Sequence, residues 1–448
     1  MRRAFLGGLA PDGGLYLPAR IPRLEASELL RLRGASFPDV ARYVAPLLLA
    51  DLLPEDVVEE VVTEALDFPV PLIRLDPSTY VLELCHGPTG AFKDVGARFL
   101  ARILARSVRR SGERVMVLVA TSGDTGGAVA QAVHGIPGVD AVVLHPQGRL
   151  SPIQRLHITR FPGGMGEANV HPVEVRGTFD DCQAMVKEVL QRGVGARGLV
   201  LTSANSINLG RLLPQVFYYV AGWIQLAEYL VEGTPSQEEL PRPRVSVPCG
   251  NLGNLTAALL ARRMGVPFAG FIGANNANAA LEKVLAGKDL EAGATVATLS
   301  NAMDVARPSN LERLLALTGG SVGGLAQEVA ATSHDDAAVL EAMAHLQRRH
   351  GYLVDPHTAV GWLGLQAFRR KWSGTLGEAR EPGIVVGTAD PAKFPDVVRR
   401  ATGEDPPIRR AWARQEAGEN GQAVEPTPMD PDSEELRRFI GGLAVGRG

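Results

Sequence analysis

"RVMVLVATSGDTGGAVAQAVHG", residues 114–135, runs from seven residues of nearly unbroken apolar β-former, through a Thr-Ser-Gly-Asp turn, into a helix pattern of small residues. Apolar residues without alternation imply a strand covered on both faces, as in a parallel sheet whose crossovers are helices. Four other stretches read the same way: "YVLELC" (80–85) into "HGPTGAFKDVGARFLARIL" (86–104), "GLVLTS" (198–203) into "ANSINLGRLLPQV" (204–216), "RVSVPC" (244–249) into "GNLGNLTAALLARRMG" (250–265), and "GIVVGT" (383–388) into "ADPAKFPDVVRRAT" (389–402). Repeated strand–turn–helix units predict an α/β fold with open, mostly parallel sheets. Residues 24–66 instead carry apolar positions at helical spacing with Pro at the breaks, which predicts helices. After about residue 403 the chain turns to Pro, Asp, Glu and Gly, the composition of a mobile surface segment, and closes on a short helix in "EELRRFIGGL" (434–443).

Composition narrows the function. The 448 residues are 45% hydrophobic and carry a net charge of -3, so no basic stripe argues for nucleic acid. Three distant cysteines (Cys85, Cys182, Cys249) form no C-x-x-C pair, and nine scattered histidines show no metal spacing. No charged leader precedes an apolar run, and the most apolar stretches are too short or too interrupted to span a bilayer. The expectation is a soluble cytoplasmic protein acting on a small molecule, without nucleic acid, membrane or metal.

Only six of the 46 basic residues are Lys. Arg serves wherever a cation suffices; Lys is required where an amine must lose its proton. Four of the six, Lys187, Lys283, Lys288 and Lys371, lie in charged helical stretches and read as solvated. Lys93 follows a Gly-Pro-Thr-Gly turn and opens a helix beside Phe92 and Asp94. Desolvation and the positive helix end both favour its neutral amine, a nucleophile toward an aldehyde, provided Asp94 points outward as a cap. Lys393 sits near a helix start and reads first as structural.

Two glycine turns complement that amine. Gly250, Asn251, Leu252, Gly253 and Asn254 follow a strand and begin a helix, where backbone N–H groups and the helix end can hold a phosphate. A plain tight turn is the alternative. Ser122, Asp124 and Thr125 repeat the pattern with hydroxyls, although Asp124 also reads as an N-cap. Asn205, Ser206, Asn208 and Arg211 cluster over one to two helical turns and read as a phosphate clamp or as ordinary capping with a surface Arg. An amine for an aldehyde together with an anion hole for a phosphate points to pyridoxal 5'-phosphate as cofactor.

The chain resembles the threonine synthase family. The resemblance rests, in order, on "GLAPDGGLYLP", "LELCHGPTGAFKD", "ATSGDTGGAVA", "GRLSPIQ", "FDDCQAMVK", "TSANSINLGRLLPQ", "VPCGNLGNLTA", "LSNAMDV", "DPHTAVGW" and "GTADPAKF". It implies a fold-type II, tryptophan synthase β-like enzyme. The implied domains are an N-terminal mainly helical one (1–70), a large cofactor-binding α/β domain (71–92 and 216–403), a small mobile α/β domain (93–215) and a C-terminal segment (404–448). It implies Lys93 as the Schiff-base lysine, the 250–254 loop as the cofactor-phosphate site, Thr388 beside the pyridine nitrogen and Asp124 near the cofactor's 3'-oxygen. Ser122, Thr125, Arg149, Ser151, Asn205, Ser206, Asn208 and Arg211 fall at substrate positions. Arg149 stands where the family usually has Lys, and Leu252 where Phe is familiar. The implied reaction takes O-phospho-L-homoserine and water to L-threonine and phosphate, in a monomer or homodimer. A phospholyase or dehydratase of the same fold, and a non-catalytic relative, are the competing readings.

Overall fold

The computed structural model describes residues 2–10, 12–161, 169–231, 233, 235–236, 238–290, 295–372, 381–416 and 423–445. Among them are strands β1 (Leu72–Asp76), β2 (Thr79–Glu83), β3 (Arg114–Ala120), β4 (Val139–Pro146), β5 (Val170–Val175), β6 (Leu199–Ser203), β7 (Arg244–Pro248), β8 (Gly270–Asn275), β9 (Val329–Ser333), β10 (Gly383–Gly387) and β11 (Thr427–Met429). They form two sheets, in the orders β1-β2-β10-β7-β8-β9 and β11-β5-β4-β3-β6. Every pairing is parallel except the β1–β2 hairpin. The fold is the expected α/β class with mostly parallel sheets.

The chain divides into two compact units. The first holds residues 1–16, 93–211 and 407–448; the second holds 17–92 and 212–406. The N-terminal helices are therefore shared: Arg2–Leu6 lies in the first unit, and Ala26–Arg31, Phe37–Leu49 and Glu55–Ala65 in the second.

In the first unit, β3 and β4 show why an unbroken apolar run becomes a central strand. Val115, Val117, Val119, Ala141 and Val143 join one core cluster, while Met116, Leu118, Ala120, Val142 and Leu144 join another. Alternate residues thus feed opposite faces, and both faces are covered. Each fully buried Val, Leu or Met contributes roughly 1.5–3 kcal/mol of transfer free energy.

Residues 404–448 contain more order than their composition foretells. Helix Arg410–Glu416 buries Trp412 against His157, β11 pairs with β5 at the sheet edge, and helix Ser433–Val445 packs Leu436 and Ile440 into the second cluster. Pro428 is tolerated because it lies on an edge strand, where a missing donor costs least. Positions 417–422 and 446–448 of that segment lie outside the described residues.

In the second unit the long helix Gln215–Leu230 is buried nearly all round, and Gly222 lets it close on Leu82: a Cβ there would lie 2.9 Å from both Leu82 methyls. No described helix is long and apolar enough to cross a membrane.

Candidate active site

In the first unit, Lys93 opens helix Lys93–Ser111, and its side chain is 13% exposed. Its Nζ lies 3.5 Å from Asp124 Oδ2. Asp124 begins helix Asp124–Val133 but does not cap it. The N-cap is Gly123, at φ 139°, and the Thr121 hydroxyl accepts the N–H groups of Gly123 (2.9 Å) and Gly126 (2.8 Å). With Thr121 satisfying those donors, the Asp124 carboxylate accepts from Gln154 Nε2 at 3.0 Å and stands beside the amine. Ser122 and Thr125 flank it, both half-buried.

Asp94 departs from expectation. It is fully buried rather than turned outward, and its charge opposes the burial that pulls the Arg160 guanidinium down to about 10. A first-turn carboxylate is favoured by the helix dipole, and a buried cation in its field compensates its charge.

Ser151 caps helix Pro152–Thr159 through a capping box: its Oγ accepts the Gln154 N–H at 3.2 Å, and Gln154 Oε1 accepts the Ser151 N–H at 3.1 Å. Arg149, two residues earlier, is exposed just after the Gly148 turn.

Arg211 is buried in the short helix Leu209–Leu212, with its guanidinium on the Ala204 carbonyl. Gly96 permits this: a Cβ at 96 would lie 2.5 Å from the Arg211 carbonyl oxygen. Asn205 Oδ1 is buried without a hydrogen-bond partner among the described residues, and half-buried Ser206 adjoins it. Asn208 differs. Its Nδ2 donates to the carbonyls of Phe5 (2.8 Å) and Ser203 (3.1 Å), and its Oδ1 accepts the Gly210 N–H (2.9 Å). That carboxamide is occupied by the backbone, and it ties this segment to the N-terminal helix.

In the second unit, β7 leads through Cys249 into the Gly250–Asn254 loop and helix Gly253–Arg263. Leu252 sits at φ 62°, left-handed for a bulky residue, which costs roughly 1–3 kcal/mol and persists only where surroundings enforce it. The enforcement is visible. Asn251 Oδ1 accepts from Ser309 N and Oγ (3.3 and 3.1 Å), and the Asn251 carbonyl accepts from Asn310 N and Nδ2 (3.2 and 2.9 Å). A Cβ on Gly250 would approach the Ala302 carbonyl to 3.0 Å. The Tyr218 and Tyr219 hydroxyls both donate to Asn254 Oδ1 at 2.6 Å. Burial pushes the Tyr219 phenol well above its ordinary range, so it remains a donor.

These residues fit a phosphate-bearing group. The first-turn N–H groups of helix Gly253–Arg263 have no intrahelical acceptor, and Asn254 Nδ2 is buried without a hydrogen-bond partner among the described residues.

Thr388 follows β10 and is held through its backbone. Its N–H donates to Thr358 Oγ (3.1 Å) and its carbonyl accepts from Phe92 N (2.9 Å). Behind it lies a buried network at the start of helix Pro356–Trp372. Asp355 accepts from Thr358 Oγ, from His357 N (2.9 Å) and from His357 Nδ1 (2.8 Å), while His357 Nε2 accepts the Ala302 N–H (3.2 Å). That bond fixes the imidazole tautomer, with its proton on Nδ1.

Sequence reasoning missed Gln154, Tyr218, Tyr219 and the Asp355–His357–Thr358 network. Only Gln154 left a legible signal, the S-x-x-Q capping box at 151–154. No described cluster of His, Cys, Asp and Glu could hold a metal ion.

The chain as a whole is similar to known proteins. The chain matches the family described as "Pyridoxal-phosphate dependent enzyme" over residues 65–379, "Threonine synthase N terminus" over 1–66 and "Threonine synthase, C-terminal" over 358–440. A threonine synthase of Serratia marcescens is 38% identical over 412 residues, covering 92% of this chain and 90% of its own. The crystal structure of PLP-bound threonine synthase from Brucella melitensis superposes with a TM-score of 0.85 at 32% identity, covering 98% of this chain and 96% of that one. The Escherichia coli threonine synthase structure gives 0.84 at 34% identity, with the same coverage.

Proposed function

From the premise that this chain belongs to the threonine synthase family of pyridoxal-phosphate-dependent lyases, we propose that it converts O-phospho-L-homoserine and water to L-threonine and phosphate, in the cytoplasm. The observation that carries the reading is the Lys93 amine, mostly shielded from water, beside a carboxylate that a second side chain orients.

Pyridoxal 5'-phosphate, when bound, supplies an aldehyde for an amine and a ring that spreads negative charge from the α carbon. Lys93 would hold that aldehyde through Nζ, and the same amine, when free and neutral, is the group able to take a proton from the substrate Cα and return protons to the substrate chain. Asp124 holds the charge balance at Nζ. The N–H groups of Gly250–Asn254, with Asn254 Nδ2, hold the cofactor phosphate. Thr388 would offer the pyridine nitrogen a neutral hydroxyl in place of a carboxylate. Ser122 and Thr125 grip the substrate carboxylate. Arg211, Asn205, Ser206, Arg149 and Ser151 hold the substrate phosphate and stabilise it as charge builds on leaving. Asn208, with its carboxamide committed to the backbone, shapes this segment without touching substrate.

Incubation with cofactor and O-phospho-L-homoserine tests the reading: phosphate and threonine should appear in equal amounts. Phosphate with 2-oxobutyrate in place of threonine would assign a phospholyase instead.

A further inference from the structure

We propose that Gln154 is a positioning residue that locks Asp124 against Lys93 and ties that pair to the Arg149–Ser151 segment; this rests on the roles proposed above for Lys93 and Ser151. Gln154 is 1% exposed, and both ends of its carboxamide are engaged. Nε2 donates to Asp124 Oδ1 at 3.0 Å, and Oε1 accepts the Ser151 N–H at 3.1 Å. Asp124 Oδ2 in turn lies 3.5 Å from Lys93 Nζ. The polar chain therefore runs without a gap from the Lys93 amine to the backbone of Ser151.

The carboxamide can stand only one way round. Flipped, it would set an acceptor oxygen against the Asp124 carboxylate and a donor against the Ser151 N–H, losing both bonds. Steric walls add to this. Gly123 faces it at φ 139°, and a Cβ there would lie 2.5 Å from both Gln154 Cδ and Nε2. One turn on, a Cβ at Gly127 would lie 2.8 Å from His157 Cβ. The glycines of "SGDTGG" thus make room for the helix that carries Gln154, and its side chain reaches the carboxylate beside the lysine.

The functional consequence follows from what each end touches. The amide donor keeps Asp124 charged and oriented, which stabilises positive charge at Lys93 Nζ. The amide acceptor holds the Ser151 N–H, so a phosphate engaging the 149–151 segment pulls on the same side chain that orients Asp124.

Gln154→Glu and Gln154→Met in the cofactor-loaded enzyme separate this from a packing role. Protonated Glu offers the same donor and acceptor as Gln, whereas ionised Glu sets a second carboxylate against Asp124. The pH midpoint of the Lys93-linked visible band should therefore rise by about one unit in Gln154→Glu. Its kcat/KM should approach wild type at the acid end and fall as the new carboxyl ionises. Gln154→Met fills similar volume without either bond and should lose roughly tenfold in kcat/KM and in affinity for inorganic phosphate; the Asp124 carboxylate and Ser151 N–H left without this partner also lower Tm, so both losses are read per folded enzyme well below the unfolding transition. An unshifted band midpoint in Gln154→Glu, or losses in both variants that merely track Tm, overturns the proposal. A wild-type enzyme that makes no threonine overturns the underlying reading instead.

Discussion

The Phe92 backbone N–H donates to the Thr388 carbonyl at 2.9 Å, so the residue preceding Lys93 is tied to the residue that follows β10. Ala91 bridges Ala389, and Asp390 N donates to the Gly90 carbonyl at 2.8 Å, extending the tie along both strands of chain. Within the second unit, these bonds hold the end of the Gly-Pro-Thr-Gly segment against the residues that follow β10, so its backbone is ordered before any ligand arrives.

Lys93→Ala should abolish the visible band of the bound cofactor and turnover together. Lys93→Arg should fail equally, because a guanidinium stays protonated and cannot bond to an aldehyde. Absorbance spectra of purified variants reconstituted with pyridoxal 5'-phosphate decide this. A visible band surviving in either variant would place the covalent lysine elsewhere.

Asn254→Asp isolates the orphan donor in the phosphate loop. The substituted side chain can still accept from Tyr218 and Tyr219, each 2.6 Å from the present Oδ1, but it exchanges Nδ2 for a second oxygen and adds negative charge. Cofactor affinity should fall by roughly tenfold or more, since a hydrogen bond to a charged group is worth about 1.5–3 kcal/mol. Titration of the apo variant with pyridoxal 5'-phosphate, followed by protein fluorescence, measures it. Unchanged affinity would remove Asn254 from the site.

Much of this site was legible because a few residue types have no substitute. Lys93 stood out as an amine in a chain that prefers Arg, and Gly250 and Gly253 as a strand-to-helix turn that could either hold an anion or simply turn the chain. What stayed hidden depends on pairings far apart in sequence. Tyr218 and Tyr219 read as an apolar helix until their hydroxyls met Asn254. Asp94 read as an outward cap because local pattern carries no trace of Arg160. The strand at 427–429 was masked by Pro428, which a central strand would exclude and an edge strand accepts.

Thr358→Val removes the hydroxyl that accepts the Thr388 N–H and donates to Asp355. A buried N–H and a buried carboxylate each lose a partner, so stability should fall by about 1–3 kcal/mol in denaturant unfolding. Thr358→Ser should recover most of it. If both variants unfold alike, the network contributes nothing to holding Thr388.

Arg211→Ala and Asn208→Ala should split cleanly. Losing the guanidinium should raise KM for O-phospho-L-homoserine at least tenfold, while spectra with unphosphorylated amino acids stay near wild type. Losing the Asn208 carboxamide, which serves Phe5, Ser203 and Gly210, should lower Tm and leave KM within a few-fold in the folded fraction. Equal KM effects in both would contradict the division between contact and scaffold.

Stability should begin to fall as pH drops below about 6.5, before the carboxylates titrate. Burial holds His134, His145 and His334 below their ordinary value of 6.5, and His145 Nε2 is buried without a hydrogen-bond partner among the described residues. A depressed pKa means the unfolded chain binds protons that the folded one refuses. The stabilisation is complete above 6.5 and is lost as pH falls through the lowered values, by at most about 1.4 kcal/mol per pH unit for each ring. Glu83 adds its own loss only beneath its ordinary 4.5, since bonds from His86 and Tyr352 outweigh its burial and lower it. Denaturant unfolding of the apo protein between pH 8 and 5 reads the effect without cofactor. His145→Gln should flatten the upper part of the slope, and an unchanged slope in that variant would mean the buried ring contributes nothing to acid lability.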